Sequence, residues 1–475
     1  MFSTVIKDSL NKPFNKLRTN GKVLIPFVVS LSNHERNQLV QSFLNYVGWV
    51  SASVTQHSQR IVGLRYTNPT YILLLCLVTT INGCSSDPFL STDEPTKETA
   101  EPTTVAAYSK STFGLYDIST FDVYVDNDII HLIAGGKGSV NDKPVTLRYT
   151  RSEDGGRNWL APVILAKFPV SINSRGNDIQ LAAQGSHLLA AWQGKGELPG
   201  MGPMVSAYSQ DNGNTWAKGT NPAINNTGDQ SHTDLIADQH GHFHAVWLED
   251  PEENGYQSLR YARSVDGGKQ WNKAATLDGS TCSCCWNTFA LSPKNELNIL
   301  YRDMKPRDMS LLRTSDEGKA WQQVGTVGKF GWQFDGCPHV GGGLTYTGTD
   351  KPQQLHSVVW TGLEQKAGLY YLNSGDNGKS WSSPRKLGDA AIHGDIAVLD
   401  GKLIAIWDEM EADGTSIFYA KSEDGGLTWF TAVRLTAAKN AATHPRLVVT
   451  KAGFLAMWTE KPNKQPSQLA WQLIE

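Results

Sequence analysis

One eight-residue phrase, Ser/Thr-x-Asp-x-Gly-x-x-Trp, occurs six times: Ser152/Asp154/Gly156/Trp159, Ser209/Asp211/Gly213/Trp216, Ser264/Asp266/Gly268/Trp271, Thr314/Asp316/Gly318/Trp321, Ser374/Asp376/Gly378/Trp381 and Ser422/Asp424/Gly426/Trp429. Successive copies lie 48–60 residues apart, the length of a four-stranded sheet with its turns, so the chain is built from repeats. Each phrase reads as a hairpin staple. Ser and Asp side chains bond backbone amides a few residues on, Gly takes the left-handed conformation, and Trp anchors the turn in its blade.

A second repeat lies between the phrases. Short apolar-alternating strands open at FDVYVD (121–126), RGNDIQLAA (175–183), HTDLIAD (232–238), CWNTFAL (285–291), CPHVGGGL (337–344), HGDIAVL (393–399) and HPRLVVT (444–450). Alternation of this kind marks strands packed face to face. Seven openings predict an all-β propeller of seven blades, with a six-bladed ring as the alternative. The last unit stops at SQLAWQLIE, one strand short, and residues 103–108 (TTVAAY) are expected to supply the missing strand. Joining both chain ends in one blade removes exposed sheet edges. The 44 Gly and 15 Trp suit such a fold, and a net charge of −3 with 19% charged residues argues against nucleic-acid binding.

The phrases resemble the Asp-box, or BNR-repeat, proteins, of which the sialidases are the best-known members. The resemblance covers roughly residues 105–475 and implies that the boxes sit on outer hairpins, away from the functional face. The Cys-x-Cys-Cys run at Cys282, Cys284 and Cys285, together with Tyr301-Arg302-Asp303, Arg307-Asp308 and Asp335-Gly336-Cys337-Pro338, resembles a subgroup of sialidase-like bacterial propeller proteins.

Residues 71–81 (YILLLCLVTTI) form an apolar run too short to span a bilayer. With Arg60 and Arg65 before it and Asn82-Gly83-Cys84-Ser85-Ser86 after it, the segment resembles a signal peptide ending in a lipobox. This implies a bacterial lipoprotein acylated at Cys84 and anchored to a membrane in the periplasm or at the cell surface. Residues 1–60 read as an extension that does not belong to the mature protein, with translation starting near Val62 or Leu64, and residues 61–84 as the signal. Residues 85–104, rich in Pro, Thr and acidic groups, read as a tether to a propeller over 105–475.

In a propeller the innermost strands line a central channel, so residues at their starts converge on one mouth. That places Arg175, Asp178, His232, Asp234, Asn287, Arg302, His339, His393, Asp395, His444 and Arg446 as candidate ligand-binding residues. Each taken alone reads equally as a solvated rim or a loop-satisfying side chain. Cys282, Cys284, Cys285 and Cys337 approach the same mouth. Three readings stay open for them: disulfides, for instance one joining Cys337 to the cluster; ligation of copper or zinc with nearby imidazoles; or a redox-active thiol pair.

Sialidases hold the substrate carboxylate with three arginines, the first in a Phe/Tyr-Arg-Ile-Pro motif, and use a Tyr nucleophile activated by a Glu. Here the corresponding region, Ser119-Thr120-Phe121-Asp122-Val123-Tyr124, has no arginine, and no Tyr/Glu pair beyond Tyr346 and Glu364 suggests itself. The functions that follow are a monomeric, lipid-anchored propeller binding a small molecule, glycan or metal at its mouth, an exo-sialidase acting on terminal acidic sugars, or a noncatalytic interaction scaffold.

Overall fold

The computed structural model describes residues 18–19, 22–23, 108–142, 145–165, 179–197, 201–252, 257–347, 353–437 and 440–474. The chain divides into two units, Met1–Glu101 and Pro102–Glu475. In the first, the described residues form one short antiparallel pairing of Arg18–Thr19 with Lys22–Val23. The lipobox, Cys84, Arg175 and Asp178 lie outside the described residues. No helix among those described is long and apolar enough to cross a membrane.

The second unit is a seven-bladed β-propeller, each blade a four-stranded antiparallel sheet. Its innermost strands are Tyr116–Asp126, Gln180–Gln184, Asp229–Ala237, Thr288–Leu291, Gly342–Tyr346, Ala391–Leu399 and Ala441–Thr450. These open blades 1 to 7 in order. Every second strand carries a fully buried apolar run, such as Leu188–Ala191 in blade 2 and Leu403–Trp407 in blade 6, because both of its faces pack against neighbouring blades.

The ring closes as expected, at a different register. The strand that completes blade 7 is Ser109–Ser111, pairing with Gln468–Ile474 through Ser109↔Trp471 and Ser111↔Leu469. Residues 103–107 are outside the described set. Aromatic packing accounts for the observed position: Tyr108 meets Trp458 edge-on at 5.1 Å and Phe113 stacks on Trp471 at 5.8 Å.

In all six boxes the Ser/Thr hydroxyl donates to the Asp carboxylate (2.6–2.9 Å) and accepts the Gly N–H (2.7–3.2 Å). The Trp does more than anchor its own turn. Trp216, Trp321 and Trp429 pack edge-on against Tyr149, Tyr261 and Tyr371 of the preceding blade, at 5.4, 4.9 and 4.7 Å. Each of these tyrosines is bonded in turn to a buried histidine of its own blade: His131, His244 and His356, at 2.7, 2.7 and 2.8 Å. The boxes therefore couple blades 2, 4 and 6 to blades 1, 3 and 5 at the end of the propeller opposite the strand starts.

Candidate functional site at the channel mouth

The loop between blades 3 and 4 (282–287) and the loop between blades 4 and 5 (328–341) cross the face where the inner strands begin. Trp286, carried by the first, stands among three histidines: its ring lies 5.7 Å from His232, 5.6 Å from His393 and 5.7 Å from His444. His393 and His444 stack on each other at 4.0 Å. Residues of blades 3, 6 and 7, between 51 and 212 positions apart in the chain, thus meet on one indole. Sequence reasoning placed the histidines there and missed Trp286, whose signal was its position one residue after Cys285.

Backbone geometry turns these rings inward. His232, His339 and His444 adopt positive φ (53°, 53° and 54°), a conformation that disfavours side chains other than Gly, Asn, Asp and His. The strands of His232 and His444 carry β-bulges at those points, between Ser231 and Asp234 and between Thr443 and Arg446, which re-aim the bulged side chain. Neighbours hold the strained backbone. Asn287 Nδ2 donates to the His232 carbonyl at 2.9 Å, and His393 Nε2 lies 3.3 Å from the His339 carbonyl.

Asp408, also missed from the sequence, organises the blade 6–7 side. Its carboxylate contacts His393 Nδ1 at 2.8 Å and accepts the His444 backbone N–H at 2.9 Å. Burial disfavours charge on His393, but the Asp408 carboxylate outweighs it and raises the pKa. Asp408 is lowered in return, burial being overcome by His393. His444, buried and beside His393, is pushed down to about 4, which leaves it a neutral imidazole with a lone pair at neutral pH.

The cysteines lie beside this cluster. The disulfide joins Cys282 to Cys285, within the run, and the bridge to Cys337, one example of the disulfide reading, is not formed. The loop fold decides this: Cys282 N–H is tied to the Arg302 carbonyl at 3.0 Å, and the tight turn brings positions 282 and 285 together with Cα atoms 5.8 Å apart, an ordinary span for a disulfide. Cys284 faces the other loop instead. Its sulfur, that of Cys337 and a ring nitrogen of His339 all lie within 4.8 Å of one another, and Cys282 Sγ is 3.9 Å from Cys284 Sγ. The hydrogen bond to Cys337 and burial push the Cys284 thiol up.

Four of the expected ligand residues, Arg302, Asp234, Asp395 and Arg446, are engaged by the framework. Arg302 is buried and its guanidinium donates to three backbone carbonyls, those of Arg307 (2.7 Å) and Val340 (3.4 Å) in loops and of Trp360 (2.9 Å) in the second strand of blade 5. With Arg307 Nε bonded to Phe334 O (2.7 Å) and Asp308 accepting Gly331 N–H (2.7 Å), it holds the loop that delivers Cys337 and His339. Asp234 and Asp395 are latches between blades. Their carboxylates accept the backbone N–H of Phe289 (2.5 Å) and Leu447 (2.9 Å) on the next inner strand, and Asp122 does the same for Leu181 (2.9 Å). Arg446 lies among these three carboxylates, with Nη2 3.3 Å from Asp122 Oδ1. Burial raises Asp122 to about 6 and Asp234 to about 7, Arg446 partly offsetting it in both. One oxygen of each carboxylate is thus taken by the backbone of the next blade, which sequence alternation alone does not reveal. Tyr346 bonds Asn377 at 3.1 Å at the far end of its strand, away from the mouth.

Residues 122–329 match the model of the BNR repeat-like domain. No curated protein matches the chain. Among solved structures, an ulvan lyase of polysaccharide lyase family PL25, bound to -[GlcA(1-4)Rha3S]-, is 12% identical over 76% of this chain and 95% of its own, with a TM-score of 0.52. The polysaccharide lyase Uly1 is 8% identical over 80% and 94%, with a TM-score of 0.49. The Trypanosoma rangeli sialidase in complex with the inhibitor DANA is 14% identical over 64% of this chain, with a TM-score of 0.41, and the match spans 55% of that sialidase's length. At these identities likeness speaks to fold alone. The chain is a seven-bladed β-propeller of which residues 122–329 match the model of the BNR repeat-like domain, and a PL25 ulvan lyase is among the solved structures that share its fold.

Proposed function

We propose that this chain is an exported, lipid-anchored propeller whose channel mouth binds a soft transition-metal ion, copper or zinc. The observation that carries the reading is the convergence of Cys284 Sγ, Cys337 Sγ and a His339 ring nitrogen within 4.8 Å. Two thiolates and an imidazole form a donor set suited to these ions. Cys282 Sγ, 3.9 Å from Cys284 Sγ, would offer a further sulfur once its disulfide to Cys285 is reduced. Export and anchoring are supported by the apolar segment and Cys84 and agree with an internal disulfide.

Metal content of the full chain, purified without chelator under reducing and under oxidising conditions, tests the binding. One equivalent of copper or zinc held at the mouth is expected, and that equivalent is lost in Cys284→Ser and in His339→Ala. Absence of metal from both preparations overturns the proposal.

A second reading, recognition of an acidic sugar at the same mouth, is favoured by Trp286 between three imidazoles and by His393, whose ring is paired with Asp408 at 2.8 Å and whose pKa that carboxylate raises against burial. A uronate-containing oligosaccharide should then bind the wild type, and Trp286→Ala should weaken binding at least tenfold. No binding across uronate- and sialate-terminated glycans removes this reading. Sialidase chemistry draws no support from Arg302 and Arg307, which are committed to backbone carbonyls, or from Arg446, paired with Asp122.

A further inference from the structure

At the opposite end of blade 3, the sequence Asp238-Gln239-His240-Gly241-His242-Phe243-His244 closes the turn between the first two strands. It lies six residues along the strand from His232, roughly 20 Å away at the rise of an extended chain. Gly241, at φ 82°, lets the chain reverse tightly, with Asp238 N–H donating to His242 O at 2.9 Å. One carboxylate oxygen of Asp238 is used by the turn: Oδ1 accepts the backbone N–H groups of His240 and His242, both at 2.9 Å.

The other oxygen faces imidazoles. Asp238 Oδ2 lies 3.1 Å from His242 Nδ1, 3.2 Å from His244 Nε2 and 3.8 Å from His240 Nδ1. A second carboxylate arrives from blade 4, where Glu317 of the Asp box places Oε1 3.4 Å from His240 Nδ1. The base of the cluster is sealed and its rim open: the side chains of Asp238 and His244 are 1% and 0% exposed, those of His242 and His240 21% and 56%.

The molecule contains its own comparison. Buried His–Tyr pairs occur in blades 1, 3 and 5, so the His244–Tyr261 bond by itself belongs to the scaffold. Here Asp238, His240 and His242 of blade 3 and Glu317 of blade 4 are added around that pair. Where His244 Nδ1–H donates to Tyr261 and the Tyr261 hydroxyl donates onward to Glu317 O (3.4 Å), His244 Nε2 presents a lone pair toward a carboxylate oxygen. A cation relieves two acceptors set face to face, and a hydrogen-bonded partner behind a ligating imidazole is the usual way such a ring is held.

We infer that Asp238, His240, His242 and His244, with Glu317 at the rim, form a second binding site, for a divalent first-row transition-metal ion such as Zn2+, on the face away from the mouth. Nitrogen and oxygen donors of this kind suit Zn2+, Ni2+ and Cu2+ and exclude a purely oxygen-ligated Ca2+ or Mg2+ site. The ion would tie the blade 3 turn to the box hairpin of blade 4, across the same two blades that Tyr261 and Trp321 join.

Equilibrium dialysis of the full chain against Zn2+, with metal counted per protein, tests the site. The His240→Ala/His242→Ala variant is expected to bind one equivalent less than the wild type, while Cys284→Ser at the mouth loses a different equivalent. If only the mouth reading fails, the wild type binds one equivalent and the double variant none. If this inference fails, the double variant binds as much as the wild type. A measurement on the wild type alone guards against a folding defect in the variant. Zn2+ should protect His240 and His242 from diethylpyrocarbonate at least tenfold, as read by peptide mass spectrometry, and equal modification with and without Zn2+ overturns the site.

Discussion

At the scale of single residues, the channel shows how one strand position takes opposite roles. His232 and Asp234 are two apart on one inner strand, yet the bulge between Ser231 and Asp234 sends the imidazole to the mouth and the carboxylate to the Phe289 amide. The sequence predicted that these side chains would crowd one axis, and they do. It did not separate ligand from latch, because that depends on which backbone N–H of the next blade lies within reach. The latch has a measurable signature. Asp234 has a folded pKa raised to about 7 by burial, so its contribution to stability is complete below the unfolded value near 4 and is lost as pH rises through about 7. The Asp-box carboxylates, shifted downward, act below that window. Asp234→Asn, whose amide oxygen still accepts from Phe289, is expected to flatten the decline in stability between pH 5 and 7 by on the order of 2 kcal/mol. Urea denaturation at several pH values checks this, and parallel curves for wild type and variant would refute it.

At the scale of elements, the box hairpin is both a turn and a joint. Gly425 and Gly426 share positive φ, 72° and 91°, but a methyl group at Gly425 would meet open space, whereas at Gly426 it would run into the Tyr371 hydroxyl of blade 5. Gly425→Ala is therefore expected to cost about 1 kcal/mol in backbone strain alone. Gly426→Ala should cost at least about 2 kcal/mol, since the hairpin must also part from Tyr371 and loosen its contact with Trp429. Thermal melts of the two variants compare them directly, and equal losses would mean the box acts only within its own blade. The phrase was legible because turn chemistry is local. Its partner was not, because Tyr371 stands 55 residues before Gly426 and nothing in the box names it.

At the scale of the whole molecule, closure links the two ends of the described propeller. Ser109–Ser111 covers the edge of Gln468–Ile474, and a chain lacking residues through Ser111 would present an unpaired strand for intermolecular pairing. That truncated form is expected to melt at a lower temperature and to self-associate with increasing concentration in analytical ultracentrifugation. A monomer with an unchanged melting temperature would show that the closing strand contributes nothing. Closure also makes the mouth a site, since it alone brings His232, Trp286, His339, His393 and His444 to one place. Blade count, strand order and the Asp-box turns were determined by the amino-acid sequence itself, because alternation, Gly placement and Ser/Asp capping act over a few residues. Which cysteines bond, which aspartates latch blades and which arginines hold loops was decided only by the tertiary structure, because each rests on a donor, acceptor or sulfur that a neighbouring strand or the fold of a crossing loop brings within reach.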